Sequence, residues 1–295
     1  MKKTVFTGVG TAIITPFTET GVDYEALGRL IDFQLSSGIN AIVAAGTTGE
    51  GSTMGDEEYG EMIAFFTKRV AGKVPLIAGS GSNDTAHAIG RSRIACEAGA
   101  DALLLVTPYY NKTTQRGLAA HFSAIADAVD RPVILYNVPS RTGLNMLPET
   151  VNVLADHPRI AAVKEACGSI SQVAREIRLA GDRLDIYSGN DDQTVPILSL
   201  GGKGVISVVS NVVPAEMVRM CEAFFAGDIP GAAAEQLRLL DFMNQSMIET
   251  NPIPIKAACA AMGFGENRLR LPLVPMEEKN EVRMREIMRE IGLKV

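Results

Sequence analysis

The chain has few residues of the kinds that build disulfides or metal sites. Among its 295 residues are three histidines and four cysteines, and neither set is clustered. The cysteines have no CxxC pair and no Cys/His spacing typical of zinc; they are Cys96, Cys167, Cys221 and Cys259. The sequence therefore predicts reduced thiols in an ordinary core, and no metal.

Runs of basic residues and long apolar runs are also missing. The formal net charge is −6 and the isoelectric point is near 5.3, so nothing marks a surface for nucleic acid or an anionic membrane. No apolar stretch is long enough to cross a bilayer. The basic start, Lys2-Lys3, is followed by Thr7, Gly8 and Gly10 rather than a secretory apolar segment. We expect a cytoplasmic protein.

Short apolar runs alternate with helical patterns at intervals of about thirty residues, the length of one strand and one helix. Each run is uninterrupted, as in parallel strands that are buried on both faces. The predicted strands are Val9 to Thr15, Ala41 to Ala45, Leu76 to Gly79, Ala102 to Val106, Val133 to Tyr136, Ile160 to Lys164, Leu184 to Tyr187 and Gly204 to Ser207. Eight such units predict a (β/α)₈ barrel, also called a TIM barrel.

Helix boundaries are predicted from capping residues and prolines. Four helices have clear ends: Asp23 to Gly38, Asn83 as the cap of a helix to Ala98, Pro148 to Ala155, and Pro214 to about Gly227. After residue 226 the strands stop, and three helices are predicted: Ala232 to Thr250, Pro254 to Met262 and Glu277 to Ile291. We expect a barrel over residues 1–226 and a helical domain over residues 227–295.

A doubly wound open sheet is the alternative architecture. That fold normally carries a glycine-rich phosphate loop after its first strand, whereas here the strand ends Thr15-Pro16-Phe17. The barrel is therefore favoured, and no nucleotide cofactor is indicated. In a barrel, active sites form at the carboxyl ends of the strands.

Lys164 ends the apolar run of the sixth predicted strand. A lysine at the edge of a dry pocket has a lowered pKa and a larger fraction of free amine, which can attack a ketone. The alternative is a structural lysine that reaches solvent or pairs with Glu165.

Hydroxyl groups follow neighbouring strands at the same end of the barrel. Strand two ends in Gly46-Thr47-Thr48-Gly49-Glu50, strand four in Thr107-Pro108-Tyr109-Tyr110, and strand five in Tyr136-Asn137. Each feature also has a purely structural explanation. The Gly-Thr-Thr-Gly segment could be a turn whose hydroxyls satisfy backbone donors, Tyr109 and Tyr110 could be interface aromatics, and Tyr136 could cap the core. Together they favour chemistry: a nest of N–H groups for a carboxylate, and Thr47 as a proton relay between phenols.

These motifs together resemble the dihydrodipicolinate synthase family, whose members are also called 4-hydroxy-tetrahydrodipicolinate synthases. The resemblance spans the chain and rests on Gly46 to Glu50, Pro108-Tyr109-Tyr110-Asn111-Lys112, Tyr136 to Gly143, Val163-Lys164-Glu165, Gly204 to Ser207, and Asn251-Pro252-Ile253-Pro254-Ile255-Lys256. The lysine and the tyrosine of strand five also occur in the wider N-acetylneuraminate lyase superfamily. Arg141 favours the synthase, because a guanidinium suits a substrate carboxylate.

The resemblance implies that Lys164 forms a Schiff base with pyruvate, and that the resulting enamine attacks L-aspartate 4-semialdehyde in lysine and diaminopimelate biosynthesis. It implies a proton relay of Tyr136, Thr47 and Tyr110. It also implies substrate binding by Thr48, Arg141, Ile206 and Gly189. No cofactor is implied.

The resemblance further implies an oligomer, because the tyrosine matching Tyr110 enters the neighbouring subunit's site. We expect at least a dimer and predict a homotetramer built as a dimer of dimers. Many members are inhibited by lysine, and the matching positions are Ser52, Asp56, Tyr59, Asn83, His87 and Tyr109. His87 replaces an acidic residue that contacts the amine of lysine, so weak or absent inhibition is predicted.

Two other functions fit parts of the pattern. A pyruvate aldolase acting on a sugar acid keeps Lys164 and Tyr136 but has no need of Arg141. A silent barrel with a binding or scaffold role would normally have lost the amine or a relay hydroxyl.

Overall fold

The computed structural model describes residues 2–295, and within them eight parallel strands form a closed barrel. The strands are β1 Gly8–Ala12, β2 Ala41–Ala44, β3 Leu76–Gly79, β4 Ala102–Val106, β5 Val133–Asn137, β6 Ile160–Glu165, β7 Asp185–Ser188 and β8 Gly204–Ser207. Each strand pairs with the next in sequence, and β8 pairs with β1 to close the ring. The predicted TIM barrel is confirmed, with strand ends that differ by at most a few residues.

Twelve helices lie within the described residues. They are α1 Tyr24–Ser36, α2 Asp56–Val70, α3 Thr85–Glu97, α4 Gln115–Asp127, α5 Pro139–Thr142, α6 Pro148–Leu154, α7 Ile170–Ala180, α8 Thr194–Ser199, α9 Pro214–Phe225, α10 Ile229–Gln245, α11 Ile253–Ala261 and α12 Glu278–Glu290. None of them, within residues 2–295, combines the length and the apolar character needed to cross a membrane. All four cysteine thiols are free.

Most of the predicted helix ends are confirmed, and one is wrong. Asp23 caps α1 by accepting a hydrogen bond from the N–H of Ala26, and prolines occupy the first turns of α6 and α9. Asn83 does not cap α3; Asp84 accepts from the N–H groups of Ala86 and His87 instead. Because α3 begins at Thr85, a carboxylate at position 84 is placed to reach those donors, whereas position 83 lies one residue too far back.

The apolar core has two layers, one inside the barrel and one between the strands and the helices. Alternation along β6 assigns its side chains to these layers, because successive residues of a strand point to opposite faces. Ala162 belongs to the inner layer with Tyr136, and Val163 belongs to the outer layer. Lys164 therefore points into the barrel and Glu165 points out of it.

Helices α10, α11 and α12 follow the barrel. The predicted boundary between residues 226 and 227 falls in the connection from α9 to α10. Helix α10 packs on α9, and α12 packs on both α10 and α11. The connection from α10 to α11 reaches the mouth of the barrel, where Asn251 hydrogen-bonds with Thr48.

Candidate active site

The side chain of Lys164 lies inside the barrel, under the ring of Tyr136. Its Nζ is 4.2 Å from the centroid of that ring, and the residue is only 5% exposed. Strand pairing sets this contact, because Lys164 lies beside Tyr136 of β5 on one side and beside Tyr187 of β7 on the other. Burial lowers the pKa of Lys164 to about 8, so about a tenth of the amine is free at pH 7, far more than for an exposed lysine.

Asp191 lies near Lys164 and was not singled out by the sequence analysis. Its Oδ2 accepts hydrogen bonds from the N–H groups of Val208 and Val209, while its buried Oδ1 has no hydrogen-bond partner. The negative charge of Asp191 raises the pKa of Lys164 and so partly opposes the effect of burial. The only signal in the sequence is a pair of acidic residues just after β7, which is common on protein surfaces.

Tyr136 is buried at the end of β5. Burial raises the pKa of its phenol, which Arg141 and Thr47 partly offset and Glu165 reinforces. A phenol with a raised pKa holds its proton firmly at neutral pH, so it suits the role of an acid better than that of a base. The hydroxyl side chain of Thr47 and the guanidinium of Arg141 are its neighbours on the polar side.

The turn from Gly46 to Gly51 is tightly folded against the end of β2. A Cβ on Gly51 would lie 2.1 Å from the carbonyl oxygen of Ala45, so only glycine fits there. Glu50 adopts a left-handed conformation with φ of 53°. The N–H groups of Thr47 and Thr48 donate to no other backbone group within residues 2–295, and they remain able to bind a carboxylate.

A cavity of about 340 Å³ opens at this end of the barrel. Its lining is Ala45, Gly46, Thr47, Gly51, Ser52, Gly79, Gly81, Ser82, His87, Arg91, Leu104, Val106, Tyr109, Tyr136, Val138, Arg141 and Thr142. Lys164 lies beneath Tyr136 and is not part of this lining. Three predicted site residues, Thr47, Tyr136 and Arg141, therefore line the same cavity as three of the predicted lysine-binding positions.

Arg141 and Thr48 are both held by Asn251, which comes from the connection between α10 and α11. Asn251 donates from Nδ2 to the hydroxyl of Thr48 at 3.0 Å, and its carbonyl accepts from Arg141 at 3.1 Å. Its own Oδ1 is buried without a partner. The sequence marks Asn251 only through the Asn-Pro-Ile-Pro run, and no sequence pattern predicts its contact with Thr48.

Ile206 lies within β8, and Gly189 directly follows β7. Ile206 is fully buried in the inner layer of the barrel. Gly189 follows β7 and donates to the carbonyl of Glu165 at 2.7 Å. A Cβ there would come within 2.8 Å of the Cβ of Ala166, so the close approach of the two strand ends requires glycine.

Tyr110 lies outside the cavity of its own chain. It is 91% exposed and has a left-handed backbone with φ of 66°. Tyr109, one residue earlier, lines the cavity and is partly exposed. One chain therefore brings Thr47 and Tyr136 together but leaves Tyr110 apart. Contact with a second subunit would explain why Tyr110 is exposed and has a strained backbone.

The predicted lysine-binding positions fall into two groups. Ser52, His87 and Tyr109 line the cavity. Asp56 lies 3.6 Å from the Nε2 of His87 and 3.8 Å from a guanidinium nitrogen of Arg91. Asp56 does not line the cavity, and neither do the other two positions: Tyr59 is buried under Arg91, and the carbonyl of Asn83 accepts from Asn111. Within residues 2–295, no three His, Cys, Asp or Glu side chains come together as a candidate metal site.

Two buried carboxyl groups, Glu165 of β6 and Glu176 of α7, lie close together on the outer side of the barrel. Glu165 accepts from Nδ2 of Asn137 and from the N–H of Cys167, and Glu176 accepts from Gln172. Burial and then the neighbouring Glu165 raise the pKa of Glu176 well above its usual value, which favours its protonated form. A protonated Glu176 can donate to Glu165, which two ionised carboxylates cannot do.

Replacing Glu176 with glutamine is expected to flatten the dependence of stability on pH. The native pKa of Glu176 lies above its unfolded value, so its contribution to stability falls as the pH rises above about 4.5. The loss is up to about 1.4 kcal/mol per pH unit. Melting temperatures of both proteins between pH 6 and 9 test this. Parallel curves would contradict it, and the exposed Glu290→Gln is the control.

Comparison with known proteins identifies the family. The model of the dihydrodipicolinate synthetase family matches residues 5–291. The 4-hydroxy-tetrahydrodipicolinate synthase of Thermoanaerobacter sp. strain X514 is 54% identical over 290 residues, which are 98% of each chain.

Solved structures are also similar over nearly the whole chain. A monomeric dihydrodipicolinate synthase variant has a TM-score of 0.97 and 44% identity, with 98% of each chain covered. The chloride-inhibited dihydrodipicolinate synthase of Acinetobacter baumannii, complexed with pyruvate, has a TM-score of 0.95 and 39% identity over 98% of this chain and 99% of that one. Because the family model spans nearly the whole chain and relatives are about 50% identical over nearly its full length, the chain belongs to the dihydrodipicolinate synthetase family.

Proposed function

We propose that this enzyme condenses pyruvate with L-aspartate 4-semialdehyde through a Schiff base on Lys164. The activity is that of a 4-hydroxy-tetrahydrodipicolinate synthase, a lyase of the class I aldolase type in lysine and diaminopimelate biosynthesis. The observation that carries the role of Lys164 is its burial against Tyr136, with a pKa of about 8. The alternative of a lysine that reaches solvent conflicts with its 5% exposure.

Imine formation begins when the free amine of Lys164 attacks the ketone carbon of pyruvate. The N–H groups of Thr47 and Thr48 bind the pyruvate carboxylate, and Ile206 contacts pyruvate through its carbonyl. The carbinolamine then loses water, and Tyr136 supplies the proton that makes hydroxide leave as water. The pyruvate complex of the Acinetobacter baumannii enzyme supports pyruvate as the first substrate.

Carbon–carbon bond formation follows loss of a proton from the methyl carbon of the iminium. The enamine attacks the aldehyde carbon of the semialdehyde, and the aldehyde oxygen takes a proton. The amine of the semialdehyde then attacks the imine carbon and displaces Lys164 as the ring closes. Arg141 binds the carboxylate of the semialdehyde, and Gly189 contributes to this substrate site.

Proton transfer uses Tyr136 and Thr47 from one subunit and Tyr110 from a neighbour. The exposed position of Tyr110 supports this arrangement, since its hydroxyl cannot join the other two within one chain. The active unit is therefore at least a dimer, and we propose a cytoplasmic homotetramer. The barrel over residues 1–226 carries the chemistry, and residues 227–295 form the helical domain.

Substrate choice between the semialdehyde and a sugar-acid aldehyde tests the function. Steady-state rates with pyruvate and each aldehyde are measured for the wild type, Arg141→Gln and the exposed control Arg175→Gln. We expect turnover with L-aspartate 4-semialdehyde only, and a KM for it raised about tenfold to a hundredfold in Arg141→Gln, as for a lost charge-assisted bidentate contact. Faster turnover of a sugar-acid aldehyde would favour the related aldolase instead.

Lysine is expected to inhibit this enzyme weakly or not at all. The amine of lysine needs a free carboxylate, but His87 replaces the acidic residue of sensitive members, and Asp56 already faces His87 and Arg91. Steady-state rates are measured with lysine at up to about 10 mM, a concentration that would saturate a site that had its carboxylate in place. Full inhibition below 1 mM, on the order of −4 kcal/mol of binding, would contradict this expectation. His87→Glu is expected to increase the sensitivity.

A further inference from the structure

We propose that Glu50 and Lys256 are a positioning pair, through which helix α11 holds the turn that binds the pyruvate carboxylate. Lys256 belongs to the first turn of α11, and Glu50 directly follows Thr47, Thr48 and Gly49. The inference rests on the proposed function, because the turn matters only if pyruvate binds to it. Neither residue touches the substrate in this proposal.

The two side chains form an ion pair that is closed to solvent. The Nζ of Lys256 lies 2.5 Å from Oε1 of Glu50, and both side chains have no exposed surface. The other oxygen of Glu50 accepts from the N–H of Arg270 at 3.0 Å. The Nζ also lies 4.1 Å from the centroid of the Phe17 ring, which stabilises the ammonium where water is absent. The carboxylate of Glu50 is therefore bound entirely by residues that follow the barrel.

The position of Glu50 determines the shape of the turn. Its N–H donates to the carbonyl of Thr47 at 3.1 Å, and the next N–H, of Gly51, donates to the carbonyl of Gly46 at 3.2 Å. Glu50 is held in a left-handed conformation, which costs a residue with a side chain about 1 to 2 kcal/mol. A side chain fixed at both oxygens offsets that cost and keeps the N–H groups of Thr47 and Thr48 directed at one point.

Stability alone does not explain a charged pair at this place. Removing two charges from water costs about as much as their attraction returns, and apolar pairs often serve a core equally well. An apolar pair would lack the directional contacts to Lys256 and to the N–H of Arg270 that fix the Glu50 backbone. The pair is also neutral overall, so it does not repel the carboxylate that the turn receives. Asn251, just before α11, holds Thr48 from the same side.

The test compares the double variant Glu50→Met/Lys256→Met with the wild type and with Glu58→Gln. The double variant keeps similar side-chain volumes and leaves no buried charge alone, so it is expected to melt within a few degrees of the wild type. Glu58→Gln is the matched control, because it breaks the ion pair of Glu58 with the Arg270 side chain and leaves the Arg270 N–H in place. The readouts are the melting temperature, kcat, and the pyruvate concentration that gives half-maximal adduct on borohydride reduction.

We expect the half-saturating pyruvate concentration to rise about tenfold or more in the double variant, with kcat at saturating pyruvate reduced less than about threefold. The control stays within about twofold of the wild type. A double variant that melts normally and has the wild-type half-saturation would overturn the proposal.

If the double variant does not fold, Glu50→Gln decides, because the amide keeps the shape of the side chain and an oxygen that can accept from Lys256, whose buried amine can lose its proton. A rise of about threefold or more in half-saturating pyruvate supports the proposal, and an unchanged value overturns it. Absence of any adduct in the wild type would overturn the proposed function itself and this inference with it.

Discussion

Lys164→Ala is expected to abolish covalent capture of pyruvate and to lower turnover by at least about 10³-fold, because Lys164 is the only lysine in the eight described strands and its buried amine is the proposed nucleophile. The intact mass of the protein is measured after incubation with pyruvate and sodium borohydride. The wild type gains one reduced pyruvyl group, which peptide mapping places on Lys164, and the variant gains none. A barrel that merely binds pyruvate would show no adduct in either protein.

The exposed Lys68→Ala, in the last turn of α2, is the control for this experiment. It keeps the adduct if the reaction depends on the buried environment of Lys164 rather than on lysines in general. An adduct that persists in Lys164→Ala would assign the imine to another lysine. A folded wild type that forms no adduct would make Lys164 structural.

The same reaction has an expected pH dependence. Only the free amine attacks pyruvate, and with a pKa of about 8 roughly a tenth of Lys164 is free at pH 7, against well under a hundredth for an exposed lysine. The initial rate of capture at low pyruvate should therefore rise with pH and level off above about pH 8. A rate that still rises steeply beyond pH 9 would contradict the lowered pKa.

Tyr136→Phe is expected to lower kcat by about 10² to 10⁴-fold, the usual effect of removing a group that transfers protons. The phenyl ring still covers Lys164, so the amine keeps its buried environment and the adduct still forms, although more slowly. Rapid-mixing measurements of adduct formation and steady-state kcat separate these two effects. A variant with kcat within threefold of the wild type would remove Tyr136 from the relay.

Tyr187→Phe is the matched control, because it removes a phenol from the same barrel interior on the other side of Lys164. The hydroxyl of Tyr187 donates to the carbonyl of Phe6 at 2.6 Å and has no place in the proposed relay. We expect a loss of stability of about 1 kcal/mol and little change in kcat. An equal fall of kcat in both variants would indicate a general disturbance of the barrel.

Local patterns in the sequence were enough to predict the barrel and several residues at its mouth. Each strand is a short apolar run next to a helical pattern, and parallel strands that alternate with helices place their carboxyl ends at one face. Lys164, Tyr136 and Thr47 could be selected because each stands at the end of such a run. Their chemical roles came from the resemblance to a family, since a strand end alone does not distinguish a nucleophile from a solvated lysine.

Contacts between distant parts of the chain were not predictable in this way. Glu50 and Lys256 are 206 positions apart, and Arg141 and Asn251 are 110 apart, so no periodicity relates them. Whether Glu165 faces Glu176 depends on how α7 packs on β6, and the raised pKa of Glu176 follows from that packing.

The sequence by itself determined the order of strands and helices, because hydrophobic period and capping act over a few residues. The tertiary structure alone decided which charges meet without water, because burial depends on every element that covers a side chain. That is why Lys164 could be found as a candidate from the sequence, while its lowered pKa and the ion pair of Glu50 with Lys256 could be found only in the folded chain.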